Sequence, residues 1–411
     1  MQKKYTFAAI ACAQLCFLTA AHADFLSDAQ ANLQLRNFYV DRSYDSSTVK
    51  DQKNWSQGAS LILKSGYTDD TVLQVGLDAS LRYAVRLNSD NHTANGIMPF
   101  DTESKTQDRD QFKLGGTLKL KVHDTELKIG ELLPKLPVVH IDESRQLPTT
   151  FLGAMLESNS IKDTKLTLGR LTKVNARDDD HYVDFSLTNG SKLAHSDALN
   201  IAGIEHKFTK DISGSYYYGG LEDIYNQHFV GVTYQPKLSE NLSLRSDVYY
   251  FNTRDTGASA AGEIDNDVVS NLNILSYGNH KFGFGYRQQF GETGYPVMNS
   301  WVPQLYLANW TVATFTKPHE RSLQFRYDYD MKGIGLDGLS LLLRYYTADK
   351  AKMGKIENGK EDELDVLLSY KIPETYVKGL SFQYLYAKAT TDFGPDFTEN
   401  RIALTYNYTF K

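Results

Sequence analysis

From Asn32 to the C-terminal end the chain alternates apolar and polar residues with a period of two, and no longer period competes with it. The last segment is the clearest. Ile402, Leu404, Tyr406, Tyr408 and Phe410 make one apolar face, while Arg401, Ala403, Thr405, Asn407 and Thr409 make a small or polar one. Ser322, Gln324, Arg326 and Asp328 alternate in the same way with Leu323, Phe325, Tyr327 and Tyr329. Thr71, Leu73, Val75, Leu77, Ala79, Leu81 and Tyr83 oppose Gln74, Asp78, Ser80 and Arg82, and Leu380, Phe382, Tyr384 and Tyr386 oppose Ser381, Gln383 and Ala387. Each stretch has the roughly nine to thirteen residues that a tilted strand needs to cross a bilayer. Beyond the N-terminal region no run approaches the ~18 apolar residues of a membrane helix, and mean hydropathy is −0.43. A transmembrane barrel passes this test, because only alternate residues face lipid.

Roughly eighteen to twenty such segments fit between Asn32 and Phe410. Turn residues at Thr68-Asp69-Asp70, His123-Asp124, Thr209-Lys210-Asp211 and Gly278-Asn279 alternate with longer polar stretches at 88–110, 133–149, 253–266, 291–304 and 349–361. Short turns at one end and long loops at the other are the layout of an outer-membrane barrel. A soluble secreted sandwich or β-helix also alternates. The barrel is favoured by tyrosine and phenylalanine near strand ends, where bilayer girdles lie, and by a terminal strand ending in Tyr408 and Phe410, although Lys411 trails it. The expected fold is an all-β transmembrane antiparallel barrel.

Lys3 and Lys4, an apolar run from about Phe7 to Ala20, and Ala21-His22-Ala23 predict a secretion signal over residues 1–23. A single barrel domain would then occupy 24–411, beginning Asp24-Phe25. Both cysteines, Cys12 and Cys16, fall inside that signal, so the expected mature chain has no disulfide and no thiolate metal site. Losing Lys3 and Lys4 takes the 44 basic residues to 42 against 50 acidic, and the charge from −6 to −8. That balance excludes nucleic acid as a partner, which calls for a basic surface.

If the apolar faces meet lipid, the other faces line a lumen. A charge facing lipid at the midplane costs ~2–4 kcal/mol, so strand parity orients charged residues inward. Arg82, Arg245, Arg287, Arg326, Arg344 and Arg401 all fall on polar faces. In the first segment Asn32, Gln34 and Arg36 oppose Leu33 and Leu35, and Arg42 keeps the parity of Arg36. Rings of arginine select anions, and a guanidinium fork matches a carboxylate. The same arginines could instead pair with lumenal Asp78, Asp247, Asp328 and Asp365 and brace the wall. The stretch from Leu132 to Pro148 is stiffened by Pro134, Pro137 and Pro148 and is apolar for an exposed loop. Burial inside the barrel would narrow a pore; a contact between protomers is the other reading.

These residues resemble the OprD family of outer-membrane porins, also called carboxylate channels. The likeness spans nearly the whole mature chain. It is carried by Leu35-Arg36-Asn37-Phe38-Tyr39 with Asp41-Arg42, Trp55-Ser56-Gln57-Gly58, Lys128-Ile129-Gly130-Glu131, and Ser144-Arg145-Gln146-Leu147-Pro148. Gly220-Leu221-Glu222-Asp223-Ile224-Tyr225, Gln324-Phe325-Arg326-Tyr327-Asp328 and Leu343-Arg344-Tyr345 continue it. The resemblance implies an eighteen-stranded barrel with inward-folded loops at a constriction and a basic ladder on one wall. It places Arg42, Arg145 and Arg401 on that ladder. The family's further basic positions are here Ser369, Gln383 and Leu385, and the one before Trp55 appears only as Lys53, out of register, so the implied ladder is thinner. It also implies insertion by the barrel-assembly machinery into lipid and lipopolysaccharide, as a monomer or loose homotrimer.

The expected function is passive, partly selective diffusion of small carboxylate-bearing or zwitterionic nutrients, amino acids or aromatic acids. Its path would run along Arg42, Arg145, Arg401, Arg36, Arg326 and Arg344, with Arg82, Asp78, Asp328 and Arg287 elsewhere on the lumen wall. A general porin, or a plugged structural or adhesin barrel, is the alternative. The ten histidines are scattered, with no Gly-x-Ser-x-Gly and no His-Glu-x-x-His, so no catalytic activity and no cofactor are expected. Strand one starts about nine residues into the expected mature chain, which leaves no room for an energised plug. Asp178-Asp179-Asp180 and Glu263 to Asp267 lack the glycine and distal glutamate of a calcium loop and read as solvated loops, so no metal is expected.

Overall fold

The computed structural model describes residues 23–410 apart from 69–71, 90–91, 301 and 309–310. The expected signal up to His22, with both cysteines, lies outside the described residues, as do Asp69 and Asp70 of the first turn and Lys411. No helix among the described residues is long and apolar enough to cross a membrane. The chain crosses with strands.

A single 18-stranded sheet makes the wall. Its strands are β1 (Gln30–Tyr44), β2 (Gln52–Lys64), β3 (Gln74–Arg86), β4 (Asp110–Val122), β5 (Thr125–Leu132) and β6 (Thr150–Ile161). Next come β7 (Thr164–Asn175), β8 (Leu199–Lys207), β9 (Ile212–Leu221), β10 (Tyr225–Tyr234), β11 (Leu242–Asp255) and β12 (Asp265–Tyr277). The last are β13 (His280–Phe290), β14 (Arg321–Asp330), β15 (Leu339–Met353), β16 (Ile356–Lys371), β17 (Leu380–Thr391) and β18 (Phe397–Phe410). Each pairs antiparallel with the next. β1 also pairs with β18, from Ala31 opposite Phe410 to Tyr44 opposite Phe397. That closure leaves no edge of unpaired backbone in lipid.

One end carries tight turns at 123–124, 162–163 and 278–279, helped by left-handed backbone at His123 (φ 51), Asp163 (φ 56) and Gly278 (φ 55). The other end carries the long connections 87–109, 133–149, 176–198 and 291–320. Two stretches expected as loops are shorter than expected. β15 and β16 run through 349–361 and leave only Gly354 and Lys355 as a turn, while β11 and β12 shorten 253–266 to 256–264. The alternation fades there because these strand ends stand in water, yet backbone pairing continues.

Outward positions are apolar along the wall, as at Leu35, Leu81, Leu114, Val230 and Leu404, with aromatic residues such as Trp55, Tyr250, Tyr277, Phe282 and Tyr408 also facing out. The inward face is less uniform than parity predicts. From β6 to β12 it is apolar too: Phe151, Leu171, Leu199, Tyr217, Phe229, Phe251 and Val268 are buried in one cluster. Val138, Val139 and Ile141 of 133–149, Phe185 and Leu187 of 176–198, and Met298, Val302 and Leu307 of 291–320 complete it. Three loops therefore fold into the barrel and pack on that side of it. The 133–149 loop takes the first of its two expected readings, burial inside the chain's own barrel, over a contact between protomers. At Gly219 on β9 a Cβ would stand 2.7 Å from the Cβ of Val138, so the wall needs a glycine where the loop presses on it. A polar cavity of about 500 Å³ remains beneath these loops, lined by Lys165, Glu205, Thr233 and Arg245, and the arginine-lined cavities run along the opposite half, β14 through β18 and β1 to β3.

Candidate functional site: the permeation path

Residues directly opposed in an antiparallel ladder share a face, so a row can be followed from strand to strand. One inward row runs Arg344 on β15, Asp365 on β16, Ala387 on β17, Glu399 on β18 and Arg42 on β1. β1 pairs without a register break, so Arg36 and Arg42 share the inward face. Arg401 lies two residues from Glu399 on that face.

Glu399 is nearly fully buried and serves two cations. Arg42 donates Nε to its Oε2 at 2.5 Å, and Arg401 pairs with its Oε1. The Arg42 guanidinium also lies 4.6 Å over the Phe397 ring. Arg344 Nη2 stands 2.8 Å from the buried Asp365. All three arginines line the same lumen cavity.

The 133–149 loop brings the fourth cation. It turns through a small hairpin (Lys135–Leu136 with Val139–His140), and Pro134 O accepts from Ile141 N at 3.0 Å. Pro137 O accepts from Gln304 Nε2 at 2.5 Å, and Pro148 O from Lys113 Nζ at 3.3 Å. Arg36 donates to the carbonyls of Glu143 (3.2 Å) and Arg145 (2.8 Å), and Gln146 Nε2 returns a bond to Arg36 O at 2.8 Å. Arg36 is thus a strut that fixes Arg145. The Arg145 side chain, in a residue 8 % exposed, reaches only Ser144 among the described residues, through O at 3.4 Å and Oγ at 3.5 Å. No carboxylate among the described residues lies within ion-pair distance of it. Burial first, then Arg401, Arg177 and Arg42, push its pKa well down, against the pull of Glu399.

Two cavities meet at this loop. The upper, about 580 Å³, is lined by Arg42, Arg145, Arg177, Arg344 and Arg401 on its cationic side. The lower, about 290 Å³, holds Arg36, Gln34, Asn407 and Pro148. Glu143 and Arg145 line both, so Arg145 stands at the waist. Around the upper cavity five guanidiniums face three paired carboxylates, Asp142, Asp365 and Glu399. Glu143 is drawn to Lys135 at 2.7 Å.

The other expected residues sit differently. Arg326 is held in its own strand by both oxygens of Asp328 (2.6 and 2.7 Å). Asp78 pairs with Lys119 at 2.6 Å. Arg82, 2 % exposed, is locked to both oxygens of Glu131 at 2.9 Å in the floor of the lower cavity. Arg287 faces inward but is fully buried, and both its Nη atoms donate to Thr314 O, at 3.3 and 3.2 Å. It fastens the 291–320 segment to the wall and offers no surface to solute, contrary to its reading as a lumen-lining residue. Arg177 escaped the sequence reading. It comes from a loop with no parity to orient it, and it pairs with Asp142 inside the upper cavity. Its neighbours Asp179, Asp180 and His181 cluster at the rim.

The family model for outer-membrane porins of the OprD family matches residues 23–410. The chain belongs to the OprD family of outer-membrane porins. Like other OprD porins it is a β-barrel of the outer membrane that passes small solutes, with the fold of channels rather than enzymes. It is 30 % identical over 396 residues to the porin-like protein GalP of Pseudomonas putida, covering 95 % of this chain and 94 % of that one. Among solved OprD-type barrels it is similar to OccAB4 of Acinetobacter baumannii, with TM-score 0.90, 35 % identity, and 95 % and 100 % of the two chains covered. It is also similar to Pseudomonas aeruginosa OpdK, solved with vanillate, with TM-score 0.85, 32 % identity, and 94 % and 100 % covered.

Proposed function

We propose that this porin passes small carboxylate-bearing solutes, amino acids or aromatic acids, along Arg344, Arg42 and Arg401, through the waist at Arg145, and on past Arg36 and Arg326. The observation that carries this reading is Arg145: a buried guanidinium with no carboxylate partner among the described residues, at the point shared by the two cavities. A desolvated, unpaired cation gains most from an incoming anion, and a bidentate carboxylate fits its fork. The solved OpdK relative holds vanillate, an aromatic carboxylate. A general porin is the second reading, favoured by the pairing of Arg42, Arg344, Arg401 and Arg326 with wall carboxylates.

Reversal potentials in planar bilayers separate the two. The carboxylate path predicts a preference for anions that falls in Arg145→Ala, and less in Arg42→Ala or Arg401→Ala, with folding kept. A pore without anion preference, unmoved by these substitutions, is a general porin. Family membership extends the reading to insertion by the barrel-assembly machinery, contact with lipopolysaccharide at the loop end, and a monomer or loose homotrimer.

A further inference from the structure

The row of lumen residues next to the arginine row is apolar on three strands, between Asp328 on β14 and Arg401 on β18. Leu342 on β15 lies opposite Leu367 on β16, Leu367 opposite Leu385 on β17, and Leu385 opposite Arg401 on β18. Leu342 is two residues from Arg344, and Leu367 two from Asp365, so all three leucines share the inward face of those charged groups. Their outward neighbours Leu341, Leu343, Val366 and Leu368 take the lipid side. The row on the far side, Ser340, Ser369 and Gln383, is polar. Many other inward apolar residues of this barrel are buried under the inner loops, and the half-buried exceptions elsewhere, Ile62, Leu272 and Ile274, do not join the row beside the arginines. Leu342, Leu367 and Leu385 are not so buried: they are half-buried and belong to none of the buried clusters. Leu385 lines the upper cavity with Val297, Pro303, Leu305 and Val312 of the inner segment facing it.

We propose that Leu342, Leu367 and Leu385 are specificity-determining residues: an apolar track that takes the hydrocarbon or ring of a monocarboxylate while Arg401 and Arg145 take its head. The proposal rests on the carboxylate reading above. Three residues on adjacent strands ~4.8 Å apart span about 10 Å, the length of a small ring or short chain. A row of leucines on a wet wall gains stability only when something apolar covers it. The channel therefore favours apolar-bodied acids over hydroxylated acids of equal charge.

The test compares cyclohexanecarboxylate with quinate, the same ring carrying hydroxyls, by bi-ionic reversal potential across bilayers holding the intact porin. Wild type gives a permeability ratio in favour of cyclohexanecarboxylate. Leu342→Asn, Leu367→Asn and Leu385→Asn each lower that ratio about two- to fivefold, from ~20–40 Å² of apolar contact apiece. The triple variant lowers it furthest. Heat-modifiable electrophoretic mobility reports folding, and the single variants decide the matter if the triple variant does not insert. Arg145→Ala lowers both acids together and leaves their ratio unchanged. A folded Leu385→Asn and Leu367→Asn with the wild-type ratio overturns the track while the carboxylate path stands. If wild type prefers neither acid over a cation of similar size, the carboxylate reading itself fails.

Discussion

On the proposed path, loss of Glu399 should sharpen selectivity instead of weakening it. Its carboxylate is nearly fully buried between Arg42 and Arg401, and it is the negative charge nearest Arg145's cationic cluster on the β1–β18 seam. In Glu399→Gln the shape and part of the hydrogen bonding survive, but three guanidiniums are left with one fewer counter-charge. A solute carboxylate resting on Arg401 would sit ~6 Å from that position. With an effective dielectric of ~40–80 the repulsion removed is about 0.7–1.4 kcal/mol, or three- to tenfold in anion-over-cation permeability. Cutting a buried pair costs ~3–5 kcal/mol when the stranded charge has no recourse. Here the cost is smaller, because Arg42 and Arg401 are 18 % and 15 % exposed and reach cavity water. The assay is the reversal potential in a KCl gradient, measured at 0.1 M and again near 1 M, where the Debye length falls to ~3 Å and the gain should shrink. An anion preference that stays level or drops in folded Glu399→Gln, at low salt, refutes the assignment of this cluster to the solute path.

Other outcomes follow from the same contacts. Gly219→Val forces a side chain into Val138, so the 133–149 loop loses its seat; about 1–3 kcal/mol of stability should go, seen in urea unfolding, with a rise in single-channel conductance. Arg287→Met frees Thr314 O and loosens the inner segment, so conductance should rise and become noisier while the barrel stays heat-modifiable. His140, inside the loop, has its pKa lowered from 6.5 by burial and by Lys135, against its bond to Ile141 O. The fold then binds fewer protons than the unfolded chain, so its contribution is full above about pH 6.5 and is lost as pH falls below it; acid should increase current noise in wild type and not in His140→Gln.

Parity read the outer wall well because lipid tolerates no error there: Leu33, Leu81 and Leu404 had to point out, and Arg42, Arg326 and Arg401 therefore in. It failed where both faces are apolar. Phe229 and Val230 alternate between the inner cluster and lipid, and nothing in their spacing says that three loops return to cover Phe229. The run Leu341-Leu342-Leu343 looks uniform for the same reason, and only the pairing of Leu342 with Leu367 gives the middle leucine to the lumen. Loops carry no period at all. The prolines marked 133–149 as stiff and buried, but Arg177 had no comparable signal, since its place beside Asp142 depends on a contact between two loops distant in sequence.

The pairing of the ladder also bears on speed. A channel works when a solute is held firmly enough to enter and loosely enough to leave. Arg145 unpaired would be the deepest well on the path, whereas Arg42, Arg344 and Arg401 already own a carboxylate, so a solute there exchanges with a wall group rather than filling an empty site. On the proposed path, shared carboxylates would flatten the profile on the entry side and leave one point of selection at the waist. Arg36, which spends its donors on the loop backbone, then holds that point in place. Substituting Arg36 should therefore act like moving Arg145, lowering acid permeability and raising conductance together, where loss of a mere binding site would lower the first and leave the second unchanged.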